Sequence, residues 1–217
     1  MIGMIASLLL PFLASRPRSG IVVAIGGTVT DSILKQFVVS CKYGQILIIP
    51  TASERIEAGY DIQNRLYNSE VLHINTREDA NRKDIANTIM KAKGIFFTGG
   101  DQSRLADVLL GTRAEKAILK AFRSGTNVAG TSAGAAFLGN PMIVGGQTEP
   151  LIEKGLGLVP FIIDQHYSER DRQSRLKEAV SSTKTIGYGI DEKTALLIDA
   201  DNNVSCFGKA ECHSVNY

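Results

Sequence analysis

A serine lies between two glycines in the segment GTSAG, at residues 130–134. The apolar residues NVA precede this segment and AAFLG follows it, so the serine falls where a buried strand would turn into a helix. A G-x-S-x-G pattern in this context is typical of a nucleophile elbow, in which glycines keep side chains from colliding with neighbouring backbone. A close-packed turn is the alternative. We predict that Ser132 is a nucleophile.

A serine nucleophile requires backbone N–H groups that stabilise an oxyanion, and one of them normally belongs to the residue after the serine. Ala133 occupies that position. The second donor is expected at the end of another strand, and FFTGGDQ at residues 96–102 is the best candidate, because Gly99 and Gly100 let the backbone approach a substrate. The GG pair at residues 26–27 is a further candidate, and an ordinary glycine turn is the non-catalytic interpretation.

The nucleophile also needs a base, and the chain contains 3 histidines. His73 lies inside the apolar run EVLHIN, which favours a buried or capping role. His213 lies in the terminal segment, where the sequence offers no polar constellation around it. His166 follows the apolar residues FII and stands among polar residues in FIIDQHYSERDR. We therefore predict that His166 is the general base.

Spacing alone does not identify the acid that would orient His166. Asp164 lies on the same face of the predicted strand, although side chains at i and i+2 usually point in parallel. Asp191 and Glu192, in GIDEKT, follow another predicted strand. From the residues alone, these three carboxylates are equally good candidates.

Three arginines follow His166 closely, in the segment SERDRQSR. Glu169, Asp171 and Glu178 balance their charge, so a solvated helix face is one interpretation. In the other interpretation, guanidinium groups beside a catalytic site hold substrate carboxylates through paired N–H donors. This second interpretation would indicate an acidic peptide or peptide-like substrate.

These side chains need a scaffold that brings distant strand ends together. Five apolar runs are separated by segments of helical length, which is typical of strands buried on both faces of a parallel sheet. The runs are residues 21–25, 45–49, 70–74, 94–98 and 127–130. The repetition predicts a three-layer α/β domain with a mainly parallel central sheet and a ligand site at the carboxyl ends of the strands.

Helical patterns lie between these runs. Asp31 is predicted to cap one helix, Asp84 begins another, and residues 114–123 form a third. After residue 180 the pattern changes to short apolar segments separated by short turns. They predict antiparallel strands that extend the sheet or form a flap.

The chain is predicted to form a single domain over residues 21–217, because no repeat or linker divides it. Residues 1–20 form a separate apolar N-terminal segment in this prediction. Its apolar run at residues 2–13 lacks a basic flank and is too short to span a bilayer. A packed segment is therefore favoured over an export signal or a peripheral membrane anchor, and no stable membrane span is expected.

Composition excludes some classes of function. With 217 residues and 44% hydrophobic residues, the chain can bury a substantial core. A net charge of +2 gives no broad footprint for nucleic acid, so no nucleic-acid partner is expected. The 3 cysteines suggest neither a disulfide framework nor a zinc site. They favour a reducing compartment, and we predict a cytoplasmic location.

Several segments together resemble cyanophycinase and its relatives, which include dipeptidase E. The segments are GTSAGA, FFTGGDQ, HINTREDAN, GLGLVP, DQHYSERDRQSR and GIDEKTA. They occur in the family's order and cover residues 21–198. The resemblance implies serine exopeptidases with a flavodoxin-like, class I glutamine-amidotransferase-like fold. It also implies Ser132 as the nucleophile, His166 as the base and Glu192 as the acid.

The resemblance further implies an oxyanion hole formed by Gly100, Asp101 and Ala133. It implies a substrate site with the arginines facing aspartate carboxylates; that site comprises Gln102, Asp164, Gln165, Arg170, Arg172 and Arg175. The family hydrolyses cyanophycin, a polyaspartate with arginine on each side-chain carboxyl, and needs no metal or organic cofactor. A peptide or polyaspartate-type substrate is therefore expected, and a homodimer is a further expectation.

One departure from the family concerns the segment between the elbow and GLGL. It lacks much of the loop that in the family helps to hold the substrate's arginine side chain, and Glu149 or Glu153 are candidates to replace those polar groups. The alternatives to a cyanophycinase are accordingly an aspartyl dipeptidase, an isopeptide hydrolase, and a binding protein that kept the fold without catalysis.

Overall fold

The computed structural model describes residues 19–55 and 57–217. The predicted apolar N-terminal segment lies outside the described residues up to position 18. Each of the five predicted apolar runs overlaps a strand of the central sheet. These strands are β1 (Val22–Ile25), β2 (Ile46–Ile49), β3 (Ser69–Val71), β4 (Gly94–Phe97) and β5 (Asn127–Thr131).

These five strands are parallel and lie in the order β1-β5-β4-β2-β3. Two later strands, β10 (Thr194–Ile198) and β11 (Val204–Gly208), extend the sheet antiparallel beyond β1. The described residues therefore build a seven-stranded, mainly parallel sheet, which confirms the predicted fold class. The carboxyl ends of β1, β5 and β4 are neighbours, so the segments that follow them meet at one edge.

Helices cover both faces of the sheet. In chain order they are α1 (Asp31–Ser40), α2 (Glu57–Gln63), α3 (Arg77–Asn81), α4 (Lys83–Lys91), α5 (Gln102–Leu109), α6 (Arg113–Arg123), α7 (Ala133–Leu138) and α8 (Gln173–Thr183). The predicted cap of α1 is wrong by one residue: the Thr30 side chain accepts from the Ile33 N–H, and Asp31 is the first helical residue. Successive side chains point to opposite faces of a strand, so Val23 packs against α1, whereas Val22 belongs to the larger core beneath α4 to α7.

A second, three-stranded sheet carries part of the site. It contains β8 (Ile162–Gln165), β9 (Gly187–Ile190) and β12 (Cys212–Val215). The C-terminal strands thus divide between two sheets, and β9 pairs parallel with β8, whereas the sequence pattern predicted antiparallel strands throughout. A short hairpin of β6 (Met142–Gly145) and β7 (Leu151–Glu153) follows the elbow helix.

The cysteine prediction is wrong for two of the three residues. Cys206 in β11 and Cys212 in β12 form a disulfide, whereas Cys41 is buried and free. The chain turns back between the two strands and brings the Cα atoms to 5.9 Å, a distance that a disulfide spans. Among the described residues, no helix is both long enough and apolar enough to cross a bilayer.

Candidate active site

Ser132 occupies a sharp turn between β5 and α7. Its φ of 51° and ψ of −118° are unusual for a residue with a side chain, and such a conformation costs about 1–3 kcal/mol. The flanking glycines are sterically required, because a Cβ atom on Gly130 would lie 2.4 Å from the Gly134 carbonyl oxygen. A Cβ atom on Gly134 would lie 2.5 Å from the carbonyl oxygen of Phe97. The close approach of α7 to β4 and β5 thus forces the serine side chain out at the sheet edge.

His166 follows β8 directly and reaches Ser132. Its Nε2 lies 2.8 Å from the Ser132 Oγ. The His166 N–H donates to the Gly26 carbonyl at 2.5 Å, and the Ser132 N–H donates to the neighbouring Ile25 carbonyl at 3.0 Å. Gly27 leaves room for the imidazole, since a Cβ atom there would lie 2.4 Å from His166 Cε1. The end of β1 therefore holds both residues.

Glu192 completes a continuous hydrogen-bonded chain. Its Oε1 accepts from the His166 Nδ1 at 2.7 Å, and its Oε2 accepts from the Thr28 hydroxyl at 2.6 Å. The other two candidate acids are engaged elsewhere: Asp191 accepts from the Ser168 N–H, and Asp164 contacts arginines. Of the three carboxylates, Glu192 is thus the one that contacts the imidazole.

The electrostatic environment suits a neutral imidazole. Burial lowers the pKa of His166 below its ordinary value, while the hydrogen bond to Glu192 opposes this shift. The nearby charge of Arg170 lowers the His166 pKa further. Hydrogen bonds from Thr28 and from His166 lower the pKa of Glu192, so its carboxylate stays ionised and accepts the Nδ1 proton. The Nε2 lone pair then faces the Ser132 hydroxyl, as a general base requires.

The oxyanion donors expected from the sequence divide into two groups. Within the described residues, the N–H groups of Gly100 and Ala133 make no hydrogen bond. Gly99 lies against the nucleophile, since a Cβ atom there would be 3.3 Å from the Ser132 Cβ. Asp101 does not fit the expected role, because its N–H donates to the Ala52 carbonyl at 2.8 Å.

Two of the three arginines are buried and paired with Asp164, whereas the resemblance implies that all three are available to substrate carboxylates. Asp164 is fully buried and accepts from Arg172 Nη1 at 3.1 Å and from Arg175 Nε at 3.0 Å, with a further bond from Arg175 Nη2. Arg172 is 8% exposed and Arg175 is 5% exposed. This buried ion triad braces β8 against the start of α8. Only Arg170 is exposed.

The two predicted substrate-site glutamines differ in their contacts. Gln102 is half-buried and donates to the Ile143 carbonyl at 2.9 Å, so it connects α5 to β6. Gln165 is buried, and its Oε1 has no hydrogen-bond partner in the described part of the chain. Glu149 and Glu153 are exposed around the β6–β7 hairpin.

The remaining histidines are placed differently from expectation. His213 does have a polar partner, because its Nε2 lies 3.2 Å from Asp191 Oδ2 across the β9–β12 pair. His73 is half-buried rather than enclosed, and its Nε2 lies 3.2 Å from the Tyr60 hydroxyl. Within residues 19–55 and 57–217, no group of three or more His, Cys, Asp or Glu side chains has a metal-binding arrangement.

Thr28 is a site residue that sequence reasoning missed. It follows the GG pair at the end of β1, so the rule that strand ends carry the site could have included it. Its hydroxyl holds the Glu192 carboxylate oxygen that does not contact His166. Both oxygens of the carboxylate are therefore fixed.

Comparisons with known proteins identify a family for this chain. A model of peptidase family S51 matches residues 25–205. A cyanophycinase of Trichormus variabilis is 39% identical over 150 residues, which cover 64% of this chain and 50% of that protein. A peptidase E of Streptomyces coelicolor is 31% identical over 127 residues, 52% of each chain. The chain spans about half the length of these curated relatives.

A solved structure shows the same fold. The crystal structure of a peptidase from an acI-B1 actinobacterium superposes with a TM-score of 0.78 and covers 93% of this chain and 98% of that one. The two sequences are 23% identical, so this likeness concerns the fold alone. The family match extends over most of the chain and includes Ser132, His166 and Glu192. The chain belongs to peptidase family S51.

Proposed function

We propose that the protein is a serine-type exopeptidase that hydrolyses cyanophycin or a related aspartyl or β-aspartyl peptide. The observation that carries this proposal is the unbroken chain of hydrogen bonds from Ser132 through His166 to Glu192. A packing turn would not require a strained serine whose hydroxyl contacts a histidine with an ionised carboxylate behind it. Membership of a peptidase family supports the same chemistry.

In the proposed mechanism, His166 Nε2 removes the Ser132 proton as Oγ attacks the substrate carbonyl. The N–H groups of Gly100 and Ala133 stabilise the oxyanion of the tetrahedral intermediate. His166 then gives its proton to the leaving amine, and an acyl-enzyme forms on Ser132. Water, deprotonated by the same imidazole, hydrolyses this ester and restores the serine hydroxyl. Glu192 stabilises the imidazolium in both steps.

The names of two relatives and the positive charge near His166 support the proposed substrate class. The relative from Trichormus variabilis is named cyanophycinase, and the relative from Streptomyces coelicolor is named peptidase E. The exposed Arg170 contributes positive charge near His166 and would attract a substrate carboxylate. Short aspartyl peptides carry free carboxylates of their own, and the arginines attached to cyanophycin each carry one, so both substrates belong to the proposal.

A side-by-side substrate panel tests this proposal. Purified protein would be assayed with cyanophycin, Asp-Xaa dipeptides, β-Asp-Xaa dipeptides and matched Ala-Xaa dipeptides. We expect release of β-aspartyl-arginine from cyanophycin or cleavage of at least one aspartyl class, with the Ala-Xaa peptides much slower. Cleavage of Asp-Xaa alone would identify an aspartyl dipeptidase, and cleavage of β-Asp-Xaa alone an isopeptide hydrolase. No hydrolysis of any substrate would contradict the proposal and favour the non-catalytic binding protein.

Thr28 should act as a positioning residue for this reaction. Thr28→Val removes the hydroxyl that holds Glu192 at nearly constant volume, whereas Thr28→Ser keeps it. Since a hydrogen bond to a charged group is worth about 1.5–3 kcal/mol, we expect kcat to fall roughly tenfold or more in Thr28→Val. KM should change little, and Thr28→Ser should recover most of kcat. Equal kcat values in the two variants would rule out this role.

A further inference from the structure

A cleft opens on the side of the nucleophile away from His166. Its volume is about 420 Å³. It lies at the carboxyl ends of β2 and β3 and beside α5. The residues that line it are Pro50, Ser53, Glu54, Arg55, His73, Asn75 and Arg104.

The cleft adjoins the expected oxyanion loop. The Asp101 N–H donates to the Ala52 carbonyl, and Ser53, the next residue, lines the cleft. Gly100, with φ +144°, is in direct contact with this turn, since a Cβ atom there would lie 2.1 Å from the Ala52 carbonyl oxygen. The segment from Gly99 to Asp101 therefore packs against the nucleophile at one end and against the turn beside the cleft at the other.

Arg104 and Arg55 give the cleft two guanidinium groups that are weakly engaged. Arg104 Nη1 lies 3.9 Å from Glu54 Oε1, and Arg55 Nη2 lies 3.7 Å from Asp61 Oδ2. Both distances exceed hydrogen-bond length, and the Glu54 side chain is 92% exposed. Solvent-exposed pairs of this kind contribute little free energy, so a ligand carboxylate can displace them. In contrast, the two buried arginines at the start of α8, Arg172 and Arg175, are already paired with Asp164.

The position of the cleft indicates which part of a substrate it would meet. In the proposed mechanism the leaving amine must face His166, which lies on the β1 side of Ser132. The cleft lies on the opposite side, because β4 and β2 follow β5 in the sheet order away from β1. The carbonyl oxygen would face the N–H groups of Gly100 and Ala133, and Gly100 packs against the Ala52 turn beside the cleft. The acyl portion is attached to the same carbon and would pass along this segment toward the cleft.

We propose that this cleft is a subsite for a carboxylate on the acyl portion of an acidic peptide, with Arg104 as its principal ligand. This inference rests on the proposed function, because that function fixes which side of Ser132 the acyl portion occupies. Arg104 is preferred because it lies on a regular helix and is less exposed than Arg55. A guanidinium group binds a carboxylate through two parallel N–H bonds.

Binding to an inactive protein tests the subsite separately from catalysis. Tetra-L-aspartate would be titrated calorimetrically into Ser132→Ala protein, with tetra-L-asparagine as the uncharged probe. We expect Arg104→Ala in this background to weaken tetra-aspartate binding roughly tenfold or more, since it removes a charge-assisted pair. Arg104→Lys should recover part of the affinity. Arg113→Ala, which removes an exposed arginine at the start of α6, should leave the affinity unchanged.

Three results of these titrations would contradict the proposed subsite. The absence of measurable tetra-aspartate binding, equal affinities for the Arg104→Ala and Arg113→Ala proteins, or equal binding of tetra-asparagine would overturn the subsite. Arg104-dependent binding in a protein whose Ser132-containing form hydrolyses no peptide would support the subsite and contradict the proposed function. Circular dichroism controls for folding, and alanine is compatible with the interior of α5.

Discussion

Ser132→Ala should lower kcat for the best aspartyl substrate by about four to six orders of magnitude, because members of a catalytic triad act as a unit. The hydroxyl that would form the acyl-enzyme is lost, while the backbone donors of Gly100 and Ala133 remain. A second change, His166→Ala, should add little further loss to the Ser132→Ala protein, because the base has no nucleophile to activate. Turnover of purified protein on the substrate panel is the measurement.

The matched control for this prediction is Ser181→Ala. Ser181 is exposed on α8 and is not part of the site, so its removal should leave turnover unchanged. A serine-directed phosphonate should label the Ser181→Ala protein and fail to label the Ser132→Ala protein. Wild-type turnover in the Ser132→Ala protein would refute the assignment of the nucleophile.

Asp164→Ala should cause a large loss of stability. The carboxylate is fully buried and is bonded to both Arg172 and Arg175, whose positive charges stay buried when it is removed. Breaking a buried ion network from one side typically costs about 3–5 kcal/mol, because the remaining charge is left uncompensated. For a domain of this size, that loss lowers Tm by roughly 6–20 °C. Thermal unfolding followed by circular dichroism measures it.

An exposed ion pair provides the comparison for this stability effect. Asp84 pairs with Arg82 at 2.5 Å, but the side chains are 63% and 55% exposed. Asp84→Ala should therefore change Tm little, since exposed pairs are screened by solvent. Equal shifts in Tm for Asp164→Ala and Asp84→Ala would show that the buried triad does not stabilise the fold. Asp164→Asn, which keeps the shape of the side chain, should fall between the two.

The parts of the structure that depend on local pattern were predictable from sequence. Buried parallel strands are apolar along their whole length, and the segments that follow them gather at one edge, so Ser132, Gly99 and His166 were assigned to strand ends. The turn at Ser132 was predictable because the two glycines around it leave room for adjacent backbone. The sequence did not distinguish Glu192 from Asp191, because both residues follow β9. Only the directions of their side chains in the structure show that Glu192 contacts His166.

The parts that depend on contacts between distant elements were not predictable. Arg172 and Arg175 lie in a segment whose acidic residues balance its arginines, which is equally consistent with a solvated face. They become buried because the chain turns after β8 and folds α8 back over Asp164, a separation of 8 and 11 residues. The disulfide and the His213–Asp191 contact were not predictable either, because both depend on the return of β12 beside β9.

The hydrogen bonds at the end of β1 affect how the active site tolerates changes in the loops around it. The carbonyls of Ile25 and Gly26 are bonded to the N–H groups of Ser132 and His166, and Thr28 holds Glu192. These two carbonyls are consecutive in a chain segment that is hydrogen-bonded on both sides within the central sheet, so one short segment sets the offset between nucleophile and base. Neither the β6–β7 hairpin nor the turn at residues 50–53 donates a hydrogen bond to these two carbonyls. Loops that select the substrate can therefore lengthen, shorten or change sequence while the proton-transfer distance stays constant.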